Sequence, residues 1–153
     1  MSVPEILAPA GSMESLFAAI RSGADAVYLG AKDFSARKGA ENFSFEELKE
    51  AVNYCHLHSA KAYLALNTLM RDSELQKALD LAVDAWNIGI DAIIIQDLGL
   101  VKLLRDNYPE ITLHASTQMS IHTPEGAKYL FEMGFKRVVL ARELSYKEIK
   151  EIA

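Results

Sequence analysis

One nine-residue pattern occurs three times along the chain, at residues 22–30, 88–96 and 133–141. Each copy has a glycine at its second position, then one apolar residue, then a run dominated by apolar side chains. Glycine can adopt the left-handed conformation with which many helices end, and the apolar run has the composition of a buried strand. Each copy therefore predicts a helix that turns tightly into a strand. Repetition of this junction is typical of a sheet built from successive βα units.

Short apolar runs alternate with amphipathic stretches of helical period about six times along the chain. Several runs are apolar throughout, which indicates parallel strands buried on both faces. The predicted strands are Glu5–Ala8, Ala26–Leu29, Ala62–Leu66, Ala92–Ile95, Thr112–His114 and Arg137–Leu140.

Four helix starts are marked by capping residues. Ser44, Ser73 and Ser145 are each followed three residues later by Glu or Gln, the spacing of a capping box. Thr123 precedes Pro124, which predicts a helix whose first residue is proline.

Two observations favour a barrel over an open doubly wound sheet. No glycine-rich phosphate-binding sequence follows the first predicted strand, and polar residues follow every strand, as the rim of a (β/α) barrel requires. The predicted fold class is therefore α/β, an incomplete TIM-like (β/α) barrel with about six parallel βα units of eight. Because the last helix has barely begun at Ala153, we expect residues 1–153 to be the N-terminal portion of a barrel domain, truncated before closure. Exposed edge strands would then favour self-association.

The polar residues after the predicted strands form the candidate ligand-binding site at the barrel mouth. Amides, hydroxyls, an imidazole and guanidinium groups suit a small polar or anionic ligand. The candidates are Arg37, Asn67, Gln96, Asp97, His114, Ser116, Thr117, Gln118, Arg142 and Glu143.

Several candidates also have a purely structural interpretation. Asp97 has the position of an N-cap for the helix that begins at Leu98, and His114 could be a hydrogen-bonded core histidine. Arg142 and Glu143 point in opposite directions if both lie on the strand, so that one faces the mouth and the other pairs with a helix. The run from Ser116 to Gln118 gains nothing from packing, which favours a functional surface there.

Composition excludes several classes of site and location. The formal charge of −5 argues against binding to phosphate backbones through this segment alone. The N-terminus lacks the features of a signal peptide, and no apolar run approaches the roughly 18–20 residues of a membrane span, so we expect a cytoplasmic protein. Cys55 is the single cysteine, so no cysteine-ligated metal or iron–sulfur site is expected within the chain. Sequence signatures of zinc proteases, serine hydrolases and P-loops are absent.

Six stretches of the chain resemble the peptidase U32 family, also called collagenase-like proteases. They are EILAPAGS at residues 5–12, GADAVYLG at 23–30, LNTL at 66–69, IQD at 95–97, LHASTQ at 113–118 and VLAREL at 139–144. The resemblance implies a TIM-barrel-like catalytic domain that continues past Ala153. The cysteine-bearing segment typical of the family has no counterpart here.

The resemblance leaves three functions open. It implies a peptidase, which is the name of the family, or an enzyme of oxygen-independent hydroxylation that acts on a tRNA wobble uridine with prephenate involved, on ribosomal RNA or on a quinone precursor. In the second case the full-length protein would hold an iron–sulfur cluster. Across these possibilities, the expected partner of the full-length protein is a small polar or anionic ligand, a peptide or RNA. The third possibility is a non-catalytic barrel that binds a ligand or partner. The family implies no agreed nucleophile, so no catalytic residue is assigned, and we expect this segment alone to be inactive.

Overall fold

The computed structural model of the protein describes residues 3–32, 34 and 42–153. Within these ranges six strands alternate with six α-helices, and a short 3₁₀ turn follows the fifth strand. In chain order the elements are β1 (Leu7–Ala10), α1 (Met13–Arg21), β2 (Ala26–Gly30), α2 (Phe45–Leu57), β3 (Lys61–Leu66), α3 (Asp72–Asn87), β4 (Ala92–Ile95), α4 (Leu98–Asn107), β5 (Leu113–Ala115), α5 (Pro124–Glu132), β6 (Arg137–Val138) and α6 (Tyr146–Ile152).

The six strands form one sheet in the order of the chain, β1 to β6, and every neighbouring pair is parallel. Each strand returns to the sheet through a helix, which is the connection that parallel neighbours require. We call this six-stranded arc with its outer helices the half-barrel. It confirms the predicted α/β fold class and the six βα units.

Alternation along the strands separates two apolar cores. Val27 and Leu29 are buried in the large core between the sheet and the helices. Tyr28, between them in the sequence, packs on the inner face of the sheet with Tyr63 and Ile94. Since successive side chains of a strand point to opposite faces, one strand supplies both cores, and residues on the inner face can line a ligand site.

The three repeated glycines have the conformation that the sequence predicts. Gly23, Gly89 and Gly134 have φ angles of 92°, 100° and 91°. A side chain at these positions would strain the backbone, since only glycine adopts such angles without a steric cost. The helices α1, α3 and α5 therefore end at these glycines, and each passes into its strand after two further residues.

An aspartate two residues after the glycine ties the strand to the strand before it. The backbone N–H groups of Asp25 and Asp91 each donate a 2.9 Å hydrogen bond to the carbonyl oxygens of Ile6 and Ala62, respectively. Each carboxylate accepts a 2.8 Å hydrogen bond from the N–H of that same residue. We call this two-point contact the aspartate clasp. The third repeat has Lys136 at this position, and only its backbone N–H is bonded to the preceding strand.

Some predicted boundaries are wrong by one or two residues. The strand predicted at Glu5–Ala8 lies at Leu7–Ala10, because pairing with β2 sets its register, with Leu7 opposite Ala26. The fifth strand begins and ends one residue later than predicted, and the sixth ends at Val138 rather than Leu140. These are positions where hydrogen bonding to a neighbouring strand, rather than side-chain type, defines the strand.

Of the three predicted capping boxes, the two at Ser44 and Ser145 are confirmed, as is the helix start at Thr123. The box predicted at Ser73 is wrong. Helix α3 begins at Asp72, and the Glu74 carboxylate accepts a 2.8 Å hydrogen bond from the backbone N–H of Arg71. Glu74 therefore caps the backbone N–H of Arg71, the N-cap residue, which lies two residues before Ser73.

Candidate ligand-binding site at the rim of the half-barrel

A cavity of about 330 Å³ opens at the carboxyl ends of the strands. It combines an apolar wall from the inner face of the sheet with hydrogen-bonding groups from the loops that follow the strands. Its lining residues are Leu7, Tyr28, Ala65, Asn67, Ile94, Ser116, Thr117, Gln118, Val139 and Arg142. We call it the rim cavity. Its place in the fold is the one at which (β/α) barrels bind their substrates.

Strand β5 and the turn after it orient the central polar run of the rim cavity. The Ser116 N–H donates a 2.9 Å hydrogen bond to the Ile95 carbonyl, which continues the ladder one residue past β5. The buried Ser116 hydroxyl then accepts a 3.2 Å hydrogen bond from the Gln118 N–H. Ser116 thus shapes the turn, while Gln118 is exposed and available to a ligand.

Arg142 and Glu143 diverge at the end of the sixth βα unit. Arg142 is exposed and lines the rim cavity. Glu143 is not among the lining residues; its Oε2 lies 3.6 Å from Nε2 of His122, in the loop before α5. Neither residue lies on β6, which ends at Val138, so the alternation expected for strand residues does not apply; the cation alone lines the cavity.

Across the part of the chain that the structure describes, Arg142 has no hydrogen-bond or ion-pair partner. A guanidinium beside neutral amides and hydroxyls makes the rim locally positive, although the chain as a whole carries a formal charge of −5. Guanidinium groups bind carboxylates and phosphates through paired N–H donors. The rim is therefore suited to an anionic group.

Asp97 has a structural role. Its Oδ1 accepts a 2.9 Å hydrogen bond from the Leu100 N–H and caps α4, and its Oδ2 accepts a 3.1 Å hydrogen bond from the Met70 N–H. One carboxylate thus fixes both a helix start and the loop after β3. Neither Asp97 nor Gln96 lines the rim cavity.

His114 lies inside the half-barrel and below the rim cavity. It is 5% exposed, and its ring packs edge-on against Tyr63 with 4.8 Å between the ring centroids. Burial, and secondarily the nearby positive charge of Arg137, lowers the pKa of His114 to about 4. His114 is therefore a neutral histidine of the inner core near neutral pH, and it does not line the cavity.

A polar cluster at the opposite end of the half-barrel was not predicted. Glu5 Oε1 accepts hydrogen bonds from Arg137 Nη1 at 2.5 Å and from the Tyr63 hydroxyl at 2.9 Å. Its Oε2 accepts a 3.0 Å hydrogen bond from Lys61 Nζ. The hydrogen bond from Arg137 is the main reason that the pKa of Glu5 falls to about 2. We call Glu5, Lys61, Tyr63 and Arg137 the base cluster.

Sequence reasoning also missed Tyr28 as a lining residue, although its position between two core-facing residues indicates the inner face. Arg37, the remaining candidate, lies outside the described residues. Asn67, Ser116, Thr117, Gln118 and Arg142 are the candidates that the structure brings together at one cavity.

Within the described residues, neither a metal-binding cluster nor an accessible cysteine is present. No group of three or more His, Cys, Asp or Glu side chains within the described ranges could hold a metal ion. Cys55 is buried in the core between helices and sheet, and burial raises the pKa of its thiol to about 11. No helix in the described ranges is both long enough and apolar enough to cross a membrane.

A larger hollow of about 580 Å³ lies elsewhere, against α5, β6 and α6. Its lining combines apolar residues such as Phe131 and Leu140 with the cations Lys128, Lys136 and Arg137. It is separate from the polar residues that follow β3 and β5. The rim cavity is the one at the carboxyl ends of the strands, where (β/α) barrels bind their substrates.

Comparison with known protein families gives one match over most of the chain. The model of peptidase family U32 matches residues 11–153. Among solved structures, the U32 peptidase Mk0906 superposes with a TM-score of 0.75 at 16% sequence identity, covering 99% of this chain and 65% of that one. At this identity the superposition supports the fold alone.

The relatives with curated names are named for different activities. The chain is 44% identical over 148 residues to the 23S rRNA 5-hydroxycytidine C2501 synthase of Escherichia coli strain K12, covering 97% of this chain and 22% of the relative. It is 39% identical over 152 residues to the uncharacterized protease MJ0090 of Methanocaldococcus jannaschii, covering 99% and 37%. It is 36% identical over 152 residues to tRNA hydroxylation protein P of E. coli K12, covering 99% and 34%. The chain thus spans between a fifth and two fifths of the length of these relatives.

Proposed function

The chain belongs to peptidase family U32, and on that premise we propose that it is part of a longer enzyme that hydroxylates a pyrimidine base in RNA. The half-barrel supplies part of the substrate-binding region of that enzyme. The relative with 44% identity is named for the synthesis of 5-hydroxycytidine in 23S rRNA, and a further relative is named for tRNA hydroxylation. RNA is therefore the proposed partner, and the cytoplasm, where RNA is modified in bacteria, is the proposed location.

The observation that carries this proposal is the chemistry of the rim cavity. Its polar residues are amides, hydroxyls and one guanidinium, which recognise a ligand through hydrogen bonds and charge. Peptide hydrolysis needs an activated nucleophile or a metal-bound water. Among the described residues, the Ser116 hydroxyl is buried and accepts a hydrogen bond within the turn. The Cys55 thiol is buried in the core between sheet and helices, and His114 packs against Tyr63; neither lines the cavity.

Hydroxylation requires redox chemistry, and the resemblance implies an iron–sulfur cluster as its source. The residues of this chain do not fit such a group, because clusters are ligated by several thiolates. Cys55 is the single cysteine of the 153 residues, and burial keeps it protonated, with a pKa raised to about 11. We propose that any cluster is held by another part of the longer protein.

Mass spectrometry of RNA tests the proposal directly. In a strain that lacks the gene, we expect one 5-hydroxypyrimidine of ribosomal or transfer RNA to disappear and to return when the complete gene is supplied. A plasmid that encodes only residues 1–153 should not restore it. If every hydroxylated pyrimidine persists in the deletion strain, and no paralogue remains, the proposal is wrong.

Peptidase activity is the second candidate, favoured by the name of the family and by the relative MJ0090, which is named a protease. The test is incubation of the purified complete protein with denatured collagen and with casein. We expect no cleavage above that of a mock purification. Cleavage that co-purifies with the protein, together with unchanged RNA in the deletion strain, would establish the peptidase instead. A protein with neither activity would fit the third possibility, a ligand-binding barrel.

A further inference from the structure

From the rim cavity we infer that it binds a single pyrimidine nucleotide turned out of an RNA strand. In this arrangement the Arg142 guanidinium pairs with the phosphate, and the Gln118 amide reads the edge of the base. The inference rests on the proposed function and assigns residues to it.

The first argument is the size and lining of the cavity. Its volume of about 330 Å³ is at the lower end of the range for small-molecule sites, which is roughly 300–1,000 Å³. A single nucleotide is a ligand of about this size. Tyr28, Ile94 and Val139 provide an aromatic and aliphatic wall, and proteins bind unstacked bases against such surfaces.

The second argument is charge. Arg142 is exposed at the cavity and has no partner among the described residues, whereas the neighbouring Glu143 lies near His122. A chain with a formal charge of −5 does not attract RNA along its whole surface. A lone guanidinium at the mouth is instead suited to one phosphate, to which it can donate two parallel hydrogen bonds.

The third argument is the placement of a carboxamide. Gln118 is exposed at the cavity, and its backbone N–H is held by the Ser116 hydroxyl at 3.2 Å. A carboxamide offers both donors and an acceptor. Held in one orientation it would distinguish cytosine from uracil, because its oxygen accepts from the cytosine amino group, whereas its NH2 donates to the uracil carbonyl on the same edge. Enzymes that act on a base of a folded RNA commonly turn the base out of its stack to reach it.

Titration of the complete protein with cytidine 5′-monophosphate, followed by NMR amide shifts, tests the site. We expect shifts concentrated at residues 116–118 and 142. Cytidine should bind at least about tenfold more weakly, since it lacks the phosphate and a charge-assisted hydrogen bond typically contributes this much. Inorganic phosphate should also bind at least about tenfold more weakly, since it lacks the base, whose stacking contributes a similar amount. Arg142→Gln should weaken binding of the nucleotide about tenfold or more and leave cytidine unchanged. Arg21→Gln removes the same charge from the distant end of α1 and should change neither.

The base-reading role of Gln118 has a separate readout. Gln118→Ala should bring the affinities for cytidine and uridine monophosphates closer together. Gln76→Ala removes a carboxamide from the exposed surface of α3, away from the cavity, and should preserve their ratio. Equal binding of adenosine monophosphate, or an unchanged affinity in Arg142→Gln, would overturn the inference. So would displacement of the nucleotide by a gelatin-derived peptide that shifts the same resonances, because that result would assign the cavity to a peptide.

Complementation separates failure of this inference from failure of the proposed function. The deletion strain is supplied with the complete gene carrying Arg142→Gln or Arg21→Gln, and hydroxylated pyrimidines are measured. We expect Arg142→Gln to lower the modified fraction and Arg21→Gln to restore it. Full modification with Arg142→Gln would remove the inference and leave the function intact. Nucleotide binding in vitro without any change in RNA after deletion would support the binding site and contradict the proposed function.

Discussion

Glu5, just before the first strand, accepts a 2.5 Å hydrogen bond from Arg137, the first residue of the sixth strand. The two residues are 132 positions apart in the sequence, and β1 and β6 are the two outermost strands of the sheet. Their contact therefore spans the inside of the half-barrel. The base cluster therefore links the segments that carry the two edge strands of the arc.

Replacing Glu5 with Gln should destabilise the protein in a manner that depends on pH. Because the pKa of Glu5 is lowered to about 2 from 4.5, the stabilisation is fully present above pH 4.5 and is lost as the pH falls toward 2. Arg137 is 37% exposed, so solvent screening reduces the effect, and we expect a loss of about 1–2 kcal/mol at pH 7. Urea denaturation at pH 7 and at pH 2.5 measures both values.

The matched control is Glu14→Gln, which removes a carboxylate from the exposed start of α1. It should leave the free energy of unfolding within about 0.5 kcal/mol of the wild type. A deficit for Glu5→Gln that is as large at pH 2.5 as at pH 7 would show that packing, rather than charge, carries the contact.

Because the pKa of His114 is lowered, the free energy of unfolding should also depend on pH in a second range, above that of Glu5. Its pKa is lowered from 6.5 to about 4, so the unfolded chain takes up a proton between these values and the folded protein does not. The free energy of unfolding should therefore fall as the pH drops from 6.5 to 4, by up to about 3 kcal/mol, since one pKa unit corresponds to about 1.4 kcal/mol. In His114→Gln this part of the decline should disappear. Thermal melts at half-unit pH intervals provide the measurement, and parallel curves for the two proteins would contradict it.

Asp97 should be important for stability without being part of the ligand site. Asp97→Ala removes both the cap of α4 and the bond to the Met70 N–H, and we expect a loss of about 1–2 kcal/mol in the free energy of unfolding. Asp97→Asn retains one acceptor and should lose less. Asp84→Ala, on the exposed face of α3, is the control. Wild-type stability of Asp97→Ala would refute the structural assignment.

The third repeat offers a stabilising substitution. Lys136 donates its backbone N–H to the Leu113 carbonyl at 2.9 Å, as Asp25 and Asp91 do to their preceding strands, but it has no carboxylate to complete the clasp. Lys136→Asp should supply one for the Leu113 N–H and raise the free energy of unfolding by about 0.5–1.5 kcal/mol. Lys136→Ala separates this effect from the loss of the lysine. Equal stability of the two variants would show that the third clasp does not form.

The features that sequence predicted well are local. The glycines at 23, 89 and 134 and the strand at Ala92–Ile95 depend on backbone angles and on the apolar character of a few adjacent residues. The misplaced start of α3 shows the limit of such reasoning. Two overlapping box-like spacings compete there, and the Glu74 carboxylate decides between them by bonding to Arg71.

Part of the candidate site could be predicted because it too depends on local sequence features. Polar residues directly after a strand, such as Ser116, are visible in the sequence, and the barrel geometry brings them to one rim. The inner lining and the base cluster depend on the register of six strands, which places Ile94 opposite His114 and His114 opposite Arg137. The start of β1 was predicted two residues too early, so the place of Glu5 in the base cluster could not be predicted.

Arg137 and Arg142 occupy one short segment, whose backbone is tied to the rest of the fold by hydrogen bonds from Val139 to Ala115 and from Ala141 to Ile121. These two bonds hold the backbone between the arginines against β5 and the loop before α5. The position of Arg142 at the mouth therefore depends on those neighbours, while Glu5 fixes only the far end of the segment.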